Sequence, residues 1–448
     1  MRTLIFFLLP LAVAGCVLKP HEATDEARNL ATVGARLGYA ATQRSVPDLP
    51  ASPNWRDVLQ RAFLANGDLE ASYHEWAMAI HRIDQAGSWP SQPVELGFEY
   101  MFSGERMKSF DRMTFSAGLM DASALPNKTY ASAKVAWRDA QAAGERFRAA
   151  KFDLQMKVLQ SWADYALQAE RIRIQQQNLE LLRLVANTAA SRVRAGASQQ
   201  EQLRADVAFR TADNELATAR ATLEQQRARL NGLLMRGADA SLVPLASMPT
   251  GRPLPMDDQT LIAASVSNSP DLAALGHDRE SREAAIQRAR LEYLPEINPM
   301  AVLTGSLSQS IGAAVVLPTQ LPKINAMVAE ARSDLRRVEM SLAQAKSDRS
   351  ARFLATLFAL RDAERRGQVF ESDIVPLAER TVQLSRQGYA AGASTYIDLI
   401  DAQRTLLDAR LMAAEARTVR EKMLAELEAL AGMDIEAISP AATTRPQE

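Results

Sequence analysis

Residues 127–234 read NKTYASAKVAWRDAQAAGERFRAAKFDLQMKVLQSWADYALQAERIRIQQQNLELLRLVANTAASRVRAGASQQEQLRADVAFRTADNELATARATLEQQRARLNGLL, a stretch dominated by Ala, Leu, Gln, Arg and Glu. These side chains lose least on entering a helix, and no proline occurs between Asn127 and Val243. One interruption is legible, Arg194-Ala195-Gly196-Ala197-Ser198. There Gly196 can end one helix, and Ser198 with Glu201 makes a capping box that opens the next. Apolar residues return at sevens: Val158, Tyr165, Ile172, Leu179, Ala186 and Val193 before the break, Phe209, Leu216, Leu223 and Leu230 after it. That is a coiled-coil period. At about 1.5 Å per residue the first arm extends roughly 100 Å. A helical hairpin of that length is a spacer, a wall or a tunnel.

Outward from this hairpin the chain repeats itself, at a period of roughly 200 residues. Ala65-Asn66-Gly67-Asp68-Leu69-Glu70-Ala71 aligns with Asn268-Ser269-Pro270-Asp271-Leu272-Ala273-Ala274, and each opens a helix ending near a proline, Pro90 or Pro295. A strand-like pair follows, then a long helix, a glycine break and a second long helix. The break is Gly196-Ala197-Ser198 in one half and Gly392-Ala393-Ser394 in the other. The expected divisions are a first repeat at 55–243 (strand pair 93–120, helical hairpin 123–236), a proline-punctuated linker at 244–258, and a second repeat at 259–433. The second repeat holds a strand pair at 296–317 and a helical hairpin at 322–432, with a tail at 434–448.

The strand pairs indicate what the helices serve. Val94, Leu96, Phe98, Tyr100 and Phe102 alternate with Glu95, Gly97 and Glu99; after a polar turn, Met113, Phe115, Ala117 and Leu119 alternate with Thr114, Ser116 and Gly118. A period of two with one apolar face is the grammar of an outer-membrane barrel strand. The second pair is shorter and less regular: Met300 to Thr304, then Ile311, Ala313, Val315 and Leu317. The competing reading is a soluble hairpin packed on the helices. Strands in lipid cannot leave open edges, so spanning requires several copies, and a trimer supplies twelve strands.

The N-terminus is an address. Arg2, the apolar run Leu4 to Leu11 and Val13-Ala14-Gly15-Cys16 form a signal peptide at 1–15 whose end resembles a bacterial lipobox, with Cys16 as the lipidated first residue. The alternative is a free or buried thiol. Val17 in place of aspartate favours sorting to the outer membrane. With a single cysteine, no disulfide framework or cysteine metal site is available. Residues 16–54, bearing Pro47, Pro50 and Pro53, read as an extended polar arm. Lys+Arg 52 against Asp+Glu 53 leaves a net charge of −1, so no basic field exists to hold nucleic acid. No apolar run after the signal is long enough for a membrane-spanning helix.

Taken in order, helix, strand pair and long helical hairpin, duplicated, the chain resembles the TolC-like outer-membrane efflux family over about residues 55 to 433. The most specific local likeness is Ile374-Val375-Pro376-Leu377-Ala378-Glu379, Tyr389, Gly392 and Tyr396-Ile397-Asp398-Leu399-Ile400-Asp401-Ala402-Gln403-Arg404. It is similar to the family's Tyr-x-x-Gly and Asp-x-Leu-Asp-Ala-Gln pattern at the tip of the second hairpin. The resemblance implies a mainly α fold with a small transmembrane β part. It also implies a homotrimer whose helices form an α-barrel tunnel capped by a twelve-strand β-barrel. A periplasmic adaptor and an inner-membrane pump complete the export path in that family.

Asp398 and Asp401 share a helix face. On the residues alone, Asp398 near the helix start suits the helix dipole, and Asp401 can pair with Arg404. The resemblance implies instead that they line the periplasmic entrance, with Tyr389 helping to hold it closed. Ser394 stands where well-known members carry an arginine of the same latch, and Glu201-Gln202 replaces their Thr-Asp pair, which makes Glu201 a further entrance candidate. No catalytic constellation, cofactor loop or metal-ligand spacing is present: His74 and His81 are seven apart, not four. Trp55, Trp76 and Trp89 read as packing or membrane-interface residues. The alternative to a channel is a structural or adaptor-type coiled-coil lipoprotein without a pore.

Overall fold

The structure, a computed structural model, describes residues 17–39, 46–88, 94–102, 107–119, 125–194, 196, 198–243, 251–252, 258–306 and 308–433. The signal peptide, Cys16, Trp89, the C-terminal tail and most of the linker lie outside the described residues. The first half runs α1 (Ala23–Leu37), α2 (Trp55–Ala65), α3 (Gly67–Gly87), β1 (Val94–Tyr100), β2 (Met113–Leu119), α4 (Pro126–Arg194) and α5 (Gln199–Leu233). The second runs α6 (Asp258–Ser267), α7 (Pro270–Arg290), β3 (Glu296–Thr304), β4 (Ser308–Val316), α8 (Leu321–Val369), a π-helical turn (Phe370–Ile374), α9 (Val375–Ala391) and α10 (Tyr396–Ala431). The duplication is therefore real in register. α3 and α7 are each 21 residues long and start at the aligned positions Gly67 and Pro270, while α5 and α10 run 35 and 36 residues.

Contacts divide the chain into two units. The first comprises Met1–Ala40, Ala71–Phe147 and Pro270–Lys346, and contains the sheet. Its strands are antiparallel in the order β1-β2-β3-β4, so the two hairpins of the repeat join into one sheet through β2 and β3. The register places Phe98 beside Phe115, Phe115 beside Leu303, and Leu303 beside Gln309. Because facing residues share a side, Leu96, Phe98, Phe115, Leu303, Ile311 and Val315 lie on one face. Glu95, Glu99, Thr114, Ser116, Ser308 and Ser310 lie on the other. Among the described residues the apolar face is bare: Leu96 is 76% and Ile311 82% exposed. A soluble hairpin packed on helices would have covered it. At the turn end Asp111 ties the hairpins together, its carboxylate accepting from the Ser306 N–H at 2.9 Å and from the Ser306 hydroxyl.

Two expectations fail in this unit. The second strand pair is not the shorter: β3 and β4 have nine residues each, β1 and β2 seven. Pro299, which argues against a strand in the sequence, pairs with Ala313, while β2–β3 pairing stops at Met300. A missing N–H is tolerated where the strand has a neighbour on one side only. The 16–54 arm is not simply extended either, since it contains the 15-residue α1. Asp25 and Glu26 in its first turn and Arg36 in its last suit the dipole, and Gly38 at φ 73 ends it. The helix docks by Trp76 Nε1–H to Glu26 Oε1 at 3.0 Å and by the Tyr73 hydroxyl to Leu30 O at 3.4 Å. Gly34 is what lets Tyr73 come so close, for a Cβ there would meet its hydroxyl at 2.2 Å. Burial raises the Glu26 carboxyl above its usual range, opposed by the Trp76 bond. Trp76 also stacks on Phe147 at 5.8 Å, a packing role as expected.

The second unit comprises Ala41–Glu70, Arg148–Ser269 and Ser347–Glu448. Along α5 the sevenfold series is the buried seam from Leu216 on, with Leu216, Leu223 and Leu230 alternating with Ala205, Ala212 and Ala219, while Phe209 is half-buried. Along α4 the series is buried only at its start, Val158 and Tyr165. Ile172, Leu179, Ala186 and Val193 are half-buried, and the core positions become Ile174, Leu182, Val185 and Ala189. A seven-residue pattern drifts by about 20° per heptad on a straight helix, and towards its end α4 faces both α5 and α10. The helices α4 and α10 run antiparallel, pinned by Lys422 to Asp164 at 3.0 Å, Arg171 to Glu415, and Arg410 to Gln177 at 3.2 Å.

Candidate functional site: the hairpin tips

The second tip turns through a Schellman motif. Gly392 adopts φ +74, its N–H bonds Tyr389 O at 3.2 Å, and the Ala393 N–H bonds Gly388 O at 2.7 Å. Gly388 leaves room for the returning chain, since a Cβ there would meet Ser394 Oγ at 2.8 Å. Ser394 accordingly donates to Ser385 O at 3.1 Å, closing the turn on itself. Thr395 then opens α10 with a complete capping box. Its hydroxyl accepts from the Asp398 N–H at 3.2 Å, and Asp398 Oδ2 accepts from the Thr395 N–H at 2.9 Å.

The first tip is looser. Gly196 sits at φ +102, a region open to glycine. Ser198 caps α5, but by accepting from the Gln200 N–H at 3.2 Å, not through a reciprocal bond with Glu201. The expected capping box is absent because the Glu201 carboxylate is turned to the other hairpin, where the Tyr389 hydroxyl donates to its Oε2 at 3.4 Å.

Tyr389 is the centre of the tip. It is 2% exposed, within a core of Leu182, Val185 and Ala189 from α4, Ala205 and Ala212 from α5, and Tyr396, Leu399 and Ile400 from α10. Arg192 clamps it twice: Nη1 donates to Tyr389 O at 3.0 Å, and the guanidinium lies 4.4 Å over the ring. Burial, then the Glu201 charge, raises the Tyr389 hydroxyl above its usual range. Tyr396 meets Tyr389 edge-on at 6.2 Å, and burial pushes its hydroxyl up to about 12. Arg192, Tyr389 and Glu201 thus bind one hairpin to the other.

The two aspartates differ. Asp398 is occupied as a cap, and the Thr395 bonds hold its carboxyl below the usual range. Asp401 is exposed, and among the described residues its carboxylate has no ion-pair or hydrogen-bond partner, Arg404 included. Among the described residues, no three His, Cys, Asp or Glu side chains converge on a metal-sized point.

Several contributors were hidden in the sequence. Arg192 looks like any last-turn arginine. Gln403 is 3% exposed with neither amide atom partnered among the described residues. The π-helical turn precedes α9, where the Val375 N–H reaches back five residues to Phe370 O. Its sequence signal is Pro376, which has no N–H and would strike the carbonyl four residues before it in a regular helix.

Residues 261–433 match the family described as outer membrane efflux protein, which covers the second repeat. The chain is 24% identical over 298 residues, 64% of its own length and 69% of the relative's, to the cobalt-zinc-cadmium resistance protein CzcC of Cupriavidus metallidurans. Its fold is similar to that of the outer membrane protein VceC from Vibrio cholerae, with TM-score 0.70, 16% identity and coverage of 85% of this chain and 96% of that one. It is also similar to CusC, with TM-score 0.71, 15% identity and coverage of 88% and 96%. The duplicated helical hairpins, the amphipathic sheet and these matches agree: residues 261–433 match the outer membrane efflux protein family, and the chain as a whole has the fold of outer-membrane channel proteins.

Proposed function

We propose that this outer-membrane efflux channel is the exit duct of a tripartite system, receiving cargo from an adaptor and an inner-membrane pump. The observation that carries the reading is the four-stranded sheet, whose apolar face is bare and whose outer strands β1 and β4 each have one partner among the described residues. In lipid such edges must be paired. Three copies joined edge to edge make a closed barrel of about twelve strands with the polar face inward. Cys16, outside the described residues, anchors the N-terminus to the outer membrane. A pore-free adaptor or structural lipoprotein has no use for an exposed amphipathic sheet. The metal-resistance relative directs the first transport assays to cobalt, zinc and cadmium.

The tips form the periplasmic entrance in this reading. Threefold symmetry brings Asp401, with Asp398 beside it, around one axis, and a ring of carboxylates attracts cations and repels anions. Tyr389, Arg192 and Glu201 hold the second hairpin against the first and keep the entrance narrow. Planar-bilayer recording tests this. Wild-type channels should conduct weakly and select for cations. Asp401→Asn should reduce selectivity and multivalent-cation block with the trimer intact, and Asp398→Asn should add less. Unchanged selectivity in the double variant would leave both acids as solvated helix residues and make Glu201 the next residue to replace.

A further inference from the structure

Among the described residues, the helices of the second unit leave two sides without a partner. α4 and α10 are pinned to one another, α5 is the mate of α4, and α8–α9 is the mate of α10. Each outer helix therefore covers one side and bares the other. On α8, Phe353, Leu357 and Leu360 face the α10 core, while Phe358, half a turn away, is 69% exposed. Val369 is exposed on the same side. On α5 the side opposite the Leu216–Leu223 seam carries the exposed Leu203 and Val207 near the tip, and farther along it Ala217, Ala221, Ala228 and Gly232, with Asn214 and Gln225 as the longer side chains among them. Among the described residues nothing lies within 4 Å of the Cβ position of Gly232, in the last turn of α5, so the notch there is open.

The levels match. Counted from the tip glycines, Phe358 lies 34 positions before Gly392, and Ala228 and Gly232 lie 32 and 36 positions after Gly196. Val369 lies 23 before Gly392, and Ala217 and Ala221 lie 21 and 25 after Gly196. Each large residue falls midway between two small ones four apart, the arrangement of a knob entering a notch.

We infer that in the assembled channel α8 of one copy packs on α5 of the next, with Phe358 seated between Ala228 and Gly232, and Val369 between Ala217 and Ala221. This inference rests on the trimeric reading above. The occupant is a second copy of this chain because both halves of the fit, at matching counts from the tips, are on the same chain. Two different surfaces meet in a head-to-tail contact, which closes a ring when the rotation allows.

Paired cysteines test the seam in the full-length protein in outer membranes. Ala228→Cys with Phe358→Cys, after mild oxidation, should give a ladder of covalent dimers and trimers on non-reducing gels. Ala221→Cys with Val369→Cys should do the same, and each single variant, still carrying Cys16, should give none. Gly232→Phe, which fills the notch, should lose the detergent-resistant trimer that Gly232→Ala keeps. A particle of trimeric mass without a ladder from either pair overturns the seam and leaves the channel reading standing. A particle that is not trimeric overturns the channel assembly itself.

Discussion

At the scale of single residues, the second tip is held by bonds that can be removed one at a time. Thr395→Ala strips the cap from α10 and should cost about 1 kcal/mol locally, read as roughly fivefold faster amide exchange in its first turn. Because the Asp398 carboxyl is held below its ordinary range, its stabilising bonds are complete above that range. They are lost as pH falls through the lowered value. Protection of that turn, its exchange relative to an unstructured chain at the same pH, should therefore fall only in strong acid, and Asp398→Asn should remove that fall. Tyr389→Phe removes the hydroxyl bond to Glu201 but keeps the ring under Arg192. Channel conductance should rise modestly, and a variant indistinguishable from wild type would show that ring packing alone holds the tip.

At the scale of elements, the sheet and the linker make opposite demands. The apolar face of the sheet is suited to lipid, so Ile311→Arg should weaken insertion into vesicles by about 2–4 kcal/mol if it sits near mid-bilayer. Ser116→Arg, on the polar face, should insert nearly as wild type, and equal effects would contradict the assigned faces. The linker is fastened to α10 by Arg252, whose guanidinium donates twice to Glu428 at 2.9 Å and to Glu421 at 3.1 Å beneath the Trp55 ring. Breaking such a buried pair from one side costs about 3–5 kcal/mol. Arg252→Ala should lower the urea midpoint sharply, and the double change Arg252→Met with Glu428→Met should recover much of it. The π-helical turn belongs to this scale as well. It absorbs Pro376 without ending the helix, and α9 continues to pack Ala378 and Val382 against Ala402 and Leu406.

At the scale of the whole molecule, the proposal stands on assembly and anchoring. Native mass spectrometry in mild detergent should find three copies, and mass analysis of the mature N-terminus should find Cys16 as a lipidated first residue. Cleavage elsewhere, or an unmodified thiol, would remove the anchor without touching the channel. The sequence by itself determined the duplicated order, the lengths of the hairpins and the glycine at each break, because these follow from local preferences: helix formers without proline, glycine at positive φ, a period of two in the strands. It also determined the buried leucines of α5, Leu216, Leu223 and Leu230. What only the tertiary structure decided depends on partners distant in the chain. The single sheet across both hairpins, the tolerance of Pro299 and the docking of α1 on Trp76 are of this kind. So are the Arg252 clamp and the turning of Glu201 away from its own cap to Tyr389. A carboxylate beside a serine cap reads the same in sequence whether it closes a box or crosses to another helix. The choice lies with the donor that folding brings near, here a buried hydroxyl 188 residues along the chain.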